Sequence, residues 1–107
     1  MRKAKLVRDK IPQIIRDGGD EPLVRVADVA EYRGLLRDKL AEEVEEFLES
    51  DDDPDELADV LEVLVALAAH LGLDLEKLRA AKALERGGFT DRIVWSGNVS
   101  AMAALGR

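Results

Sequence analysis

From Asp28 to Ser50 the apolar residues Val29, Tyr32, Leu36, Leu40, Val44 and Phe47 recur at three- and four-residue intervals. That spacing predicts a helix over roughly 29–50 with one face toward a core. Asp28 stands as its N-cap, and Glu31 follows three residues later in a capping-box pattern. One residue breaks the stripe: Glu43 falls inside it, and Lys39 and Glu46 lie on one flank. Burying an unpaired charge is costly, so a carboxylate on the core side needs a reason.

A second long pattern begins at Asp53, an N-cap followed by Pro54 at the first helical position, and ends at Gly72. From Leu57 to Leu71 it is apolar nearly all round, interrupted by Asp59, Glu62 and His70. A helix of that kind is buried on every side. A chain of 107 residues has little material to surround it, so a second subunit is expected over Leu61, Leu64, Val65 and Ala68.

The remaining segments are shorter. Residues 8–17 predict a helix with Pro12 in its first turn, stopped by Gly18-Gly19. Pro22 to Val26 reads as an extended connection. A last helix is expected at about 75–86, closed by Gly87-Gly88, with Phe89 to Trp95 extended after it. The expected fold class is all-α. A helical hairpin forms a four-helix-type bundle with a partner subunit, with short extended segments near the termini. Residues 1–95 read as one domain and residues 96–107 as a small-residue tail.

Composition narrows the function. Apolar residues make up 47%, enough for a core, and the formal net charge of −7 argues against a nucleic-acid polymer as partner. A nucleotide bound through metal ions stays compatible with that charge, because the metal supplies the positive pole. The chain has no cysteine, which removes disulfides and thiolate metal sites. No apolar run reaches membrane-spanning length, and Met1-Arg2-Lys3-Ala4-Lys5 lacks the apolar run of a signal peptide. The expectation is a cytoplasmic protein with no membrane contact.

The chemistry concentrates in five acidic residues: Glu42, Glu43 and Glu46 as E-E-x-x-E, then Glu56 and Asp59 as E-x-x-D. Three-residue spacing sets two side chains on one helix face. Ser50-Asp51-Asp52-Asp53-Pro54 reads as a turn between the two helices. With Asp51 at its tip, Glu46 and Glu56 are equidistant from it, and so are Glu43 and Asp59. An antiparallel hairpin then brings four carboxylates together at two levels. Such a cluster repels itself without cations, and oxygen ligands suit Mg²⁺ or Mn²⁺. Glu45 and Glu49 point away from the stripe and read as solvated. The run 51–56 lacks the glycine and length of a calcium loop. No glutamate precedes His70 by three residues, so a di-iron bundle does not fit and His70 reads as a structural or interface histidine.

The basic residues are candidates for phosphate. Lys39 either pairs with Glu43 four residues on or reaches a phosphate. Lys5, Arg8 and Lys10 near one end, and Lys82, Arg86 and Arg92 near the other, could hold triphosphate oxygens or be ordinary surface charge. Tyr32 and Phe89 read as core residues that could also stack on a base.

With these residues the chain resembles the all-α nucleoside triphosphate pyrophosphohydrolases of the MazG-like type, which include phosphoribosyl-ATP pyrophosphohydrolase. The match lies in Glu42, Glu43, Glu46, Glu56 and Asp59. The opening Lys5-Leu6-Val7-Arg8-Asp9-Lys10-Ile11-Pro12 and the later Lys82 with Arg86-Gly87-Gly88-Phe89 resemble a small phosphoribosyl-ATP pyrophosphohydrolase-like branch. One departure is the nine-residue separation of Glu46 from Glu56, shorter than in many MazG-like proteins. The resemblance implies hydrolysis of a nucleoside triphosphate to the monophosphate and pyrophosphate. It implies Mg²⁺ on Glu43, Glu46, Glu56 and Asp59, with Glu42 at the edge orienting water, and a house-cleaning substrate. A homodimer, or a tetramer of paired dimers, is expected. A biosynthetic phosphoribosyl-ATP enzyme, or a non-catalytic nucleotide- or metal-binding module, stays open as an alternative.

Overall fold

The computed structural model describes residues 4–100. Among them the chain forms four helices and no strand: α1 (Ile11–Asp17), α2 (Val29–Glu49), α3 (Pro54–Leu71) and α4 (Leu75–Arg86). The chain divides after Leu75 into two compact units.

In the first unit the packing is that of α2 on α3. Each end of the hairpin has a local cause. The Asp28 carboxylate accepts from the Glu31 N–H at 2.8 Å, which satisfies one free donor of the first turn of α2. The reciprocal half of the expected capping box is not made. Glu31 turns its carboxylate instead onto Arg25, at 2.5 and 2.6 Å. At the hairpin tip the Ser50 hydroxyl donates to the Phe47 carbonyl at 2.7 Å, and Asp52 takes a left-handed φ of 54°. Asp53 then caps α3 by accepting from the Asp55 N–H at 2.9 Å. Gly72, at φ 68°, ends α3: its N–H donates to Ala69 O and the Leu73 N–H reaches back to Ala68 O at 2.9 Å.

The core between the helices is small. Leu36, Val63 and Ala68 are buried in it, and Glu43 is buried with them. Tyr32 and His70 meet edge to face with ring centroids 5.5 Å apart, which joins the start of α2 to the end of α3 and gives His70 its structural role. Ala68, expected to need a partner subunit, is already buried within the chain. Leu57, Leu61 and Val65 stay exposed, as does Val29 of the expected α2 stripe.

Helix α1 begins three residues later than expected. The Ile11 N–H bonds to Arg8 O, so residues 8–11 make a tight turn, and the first α-type bond runs from Ile14 N–H to Lys10 O. Arg8 therefore stands outside the helix, at the end of an irregular segment. The stretch 20–28 has no strand partner and stays irregular.

In the second unit α4 ends at Gly87, whose φ is 83°. The extended run expected from Phe89 begins instead as a turn, closed by the Arg92 N–H on Phe89 O at 3.2 Å with Arg92 at φ 57°. Phe89 is solvent-exposed, not core. Beyond it the chain is irregular to residue 100, with the Trp95 indole donating to Asn98 at 2.8 Å. The expected tail lies from residue 101 onward outside the described residues.

Candidate metal centre and its cleft

The hairpin brings together three of the four carboxylates that its symmetry about the turn predicts. Glu43 and Glu46 on α2 and Glu56 on α3 each offer a carboxylate oxygen within 4.8 Å of the others. Glu43 sits on the core side of α2 and is 7% exposed. Lys39, one turn earlier, holds one of its oxygens at 3.2 Å. The other oxygen, Oε2, is buried with no hydrogen-bond partner, and so is Oε2 of Glu56. Buried polar atoms in native proteins are nearly always satisfied, so a cluster with two orphaned carboxylate oxygens could hold a cation.

The titration of the group reflects this crowding. Repulsion from Glu43, helped by burial and by Glu56, pushes the Glu46 carboxyl above its ordinary value. Burial, with the charges of Asp59, Asp53 and Glu43, pushes Glu56 up as well. Lys39 goes the other way from a buried lysine: burial would lower it, but the adjoining Glu43 and Glu42 carboxylates outweigh that and raise it.

Asp59, expected as the fourth ligand, is absent from the three-carboxylate cluster and instead accepts from the Arg8 guanidinium at 2.7 Å. Glu42 likewise is engaged away from the cluster, by Lys5 and Lys39, each at 3.4 Å. Burial raises the Glu42 carboxyl, yet the two lysines prevail and hold it below its ordinary value. Glu42 lines a hollow of about 290 Å³ with Lys5 and Asp38, while Glu43 and Asp59 line a larger cleft.

That cleft, about 410 Å³, lies between the segment 6–10 and the hairpin. Tyr32, Leu36, Val63 and Ala66 give it an apolar floor. Arg8, Lys10 and Lys39 supply cations, and Glu43, Asp59 and Glu62 supply carboxylates. The structure thus brings Arg8, Lys10 and Lys39 to the carboxylates. Lys82, Arg86 and Arg92 belong to the second unit, where Arg86 is exposed and its ion-pair neighbour is Glu85 at 4.0 Å. The sequence reading missed the apolar wall formed by Leu6 and Val7. Its only sequence signal is a pair of apolar residues flanked by Lys5 and Arg8; where that pair packs is fixed by the fold.

No family model matches the chain, and no solved structure matches it. A protein of Mycolicibacterium smegmatis, described as uncharacterized, is 46% identical over 48 residues, covering 45% of this chain and 49% of that protein. The chain therefore spans about half the length of the relative it matches. No helix among the described residues is long and apolar enough to cross a membrane.

Proposed function

We propose that the chain is a divalent-cation-dependent nucleoside triphosphate pyrophosphohydrolase of the MazG-like type, acting on a non-standard nucleotide. The observation that carries this reading is Glu43: a buried carboxylate with one oxygen unpartnered, beside Glu46 and Glu56, at the edge of a cleft with an apolar floor and basic wall. The donor set fits the expected ion, since hard carboxylate oxygens suit Mg²⁺ and Mn²⁺. In this reading Glu43, Glu46 and Glu56 hold it. A bound Mg²⁺ would screen the triphosphate and lower the pKa of an attacking water.

The chain's own residues do the rest. Lys39 fixes the orientation of Glu43 by holding one of its carboxylate oxygens. Glu42 in turn holds Lys39 from its outer side. Tyr32 offers a ring to a base, with Leu36, Val63 and Ala66 excluding water from its face. Arg8 and Lys10 face the triphosphate as charge-assisted donors. The reading rests on the first unit alone.

Assembly belongs to the same proposal. Leu57, Leu61 and Val65 recur at four-residue spacing on α3 and are 53%, 61% and 54% exposed. A homodimer, or a tetramer built from it, would cover this stripe.

The deciding experiment is pyrophosphate release from a panel of standard and modified nucleoside triphosphates with Mg²⁺, alongside Glu43→Gln. Turnover in the wild type that the variant loses is the expected result. Release from phosphoribosyl-ATP alone would assign the biosynthetic role. Nucleotide binding with no release from any substrate would make the chain a binding module.

A further inference from the structure

The segment 4–10 crosses the hairpin with a cation on each helix: Lys5 pairs with Glu42 of α2, and Arg8 with Asp59 of α3. The Arg8 contact has a consequence for the cation site. Glu43, Glu46 and Glu56 converge, while the carboxylate symmetric with Glu43 about the turn is taken by a guanidinium. Both side chains of that pair are well exposed, 53% for Arg8 and 38% for Asp59, so the pair exchanges partners at little cost. Both also line the cleft. Arg8 precedes α1, its carbonyl accepts from the Ile11 N–H, and its side chain projects from the helix start with more than half its surface in solvent.

Building on the pyrophosphohydrolase reading, we propose that Arg8 is a latch on the fourth carboxylate. In the free protein it keeps Asp59 from the cation cluster; phosphate oxygens of a ligand in the cleft draw it off and release Asp59 to the cations. Guanidinium donates to phosphate and carboxylate oxygens alike, so the exchange replaces the one bond from Arg8 Nη2 to Asp59 and lets the whole fork engage phosphate. The release supplies negative charge to the metal centre only when a phosphate ligand is present. Arg8 is thus a positioning residue that couples ligand arrival to completion of the site.

The test uses two probes on the full chain: Mn²⁺ alone, and inorganic tripolyphosphate added to Mn²⁺-saturated protein, both by calorimetry, with thermal melts on every variant. Arg8→Ala is expected to tighten Mn²⁺ about two- to fivefold, since Asp59 is freed of its competitor. The same variant is expected to weaken tripolyphosphate about tenfold, since the phosphate partner is gone. In an Asp59→Asn background Arg8→Ala should leave Mn²⁺ affinity unchanged. Arg8→Lys, which keeps the charge but not the fork, guards against loss of the segment's packing and should fall between wild type and Arg8→Ala on both probes. These opposite signs are what a mere structural clasp cannot give. If Arg8→Ala lowers the melting temperature while Mn²⁺ affinity is unchanged or weaker, the latch is overturned and the metal site stands. If wild type binds no Mn²⁺, or binds it independently of Glu43, both readings fall.

Discussion

Replacing Glu43 with glutamine separates a metal site from a crowded acidic surface. The side chain keeps its shape and can still accept from Lys39, so the metal-free fold should change by no more than about 1 kcal/mol, the worth of an ordinary hydrogen bond. What changes is the buried oxygen without a partner: with the amide oxygen held by Lys39, glutamine puts an uncharged NH2 there, a donor that cannot ligate a cation. In the wild type, a divalent ion at ten times its dissociation constant adds about 1.4 kcal/mol of stability. For a chain of 107 residues each kcal/mol moves the melting temperature by about 4–8 °C, so the expected rise is about 6–11 °C. Loss of a direct ligand should weaken affinity at least as much as loss of an outer partner, about tenfold or more. At the same concentration the variant is then half-saturated at most, which leaves about 0.4 kcal/mol, or roughly 2–3 °C. The assay is a thermal melt in Mg²⁺ or Mn²⁺ chloride against sodium chloride at matched ionic strength, because screening alone relieves repulsion between carboxylates. Glu45→Gln is the control, since Glu45 is exposed on the opposite side of α2 and should keep the full rise. Equal rises in wild type and Glu43→Gln, or an equal loss in Glu45→Gln, would refute the reasoning.

Four further outcomes are expected. Glu43→Gln and Asp59→Asn should abolish pyrophosphate release while far-ultraviolet circular dichroism shows unchanged helix content; retained turnover in both would remove the carboxylates from the mechanism. Glu46 and Glu56 are held above their ordinary 4.5, so the folded state binds their protons more tightly than the unfolded chain, and their contribution to stability, present below 4.5, is lost as pH rises through the raised values. A divalent ion replaces those protons, so its stabilisation should be full near pH 7 and fade as pH falls toward about 4.5; melts with a pH-independent cation effect contradict this. Light scattering at micromolar concentration should give at least twice the 11.8 kDa of the chain, and a monomer mass would leave the Leu57–Leu61–Val65 stripe without its expected cover. Gly72→Ala should cost about 1 kcal/mol in a denaturant melt, because φ 68° disfavours a Cβ although nothing lies within 4 Å of one; an unchanged midpoint would mean the cap relaxes freely.

The sequence by itself determined the features that depend on neighbours within a few residues. The caps Asp28 and Asp53, Pro54 at a helix start and the stop at Gly72 are local hydrogen-bond and dihedral rules, and α2, α3 and α4 lie where those rules put them. Three of the four carboxylates expected to converge were legible, because two helices joined by a short turn have one register that sets Glu46 opposite Glu56 with Glu43 one turn away, while Asp59 did not follow. Tertiary structure decided what each carboxylate holds. Whether Asp59 joins the cluster or takes Arg8, and whether Leu6 and Val7 wall a cleft, depend on where an irregular segment crosses the hairpin. Helical spacing carries no information about that crossing. Contacts made 51 residues apart, as between Arg8 and Asp59, are selected by the packing of the whole unit rather than by any local preference of the chain.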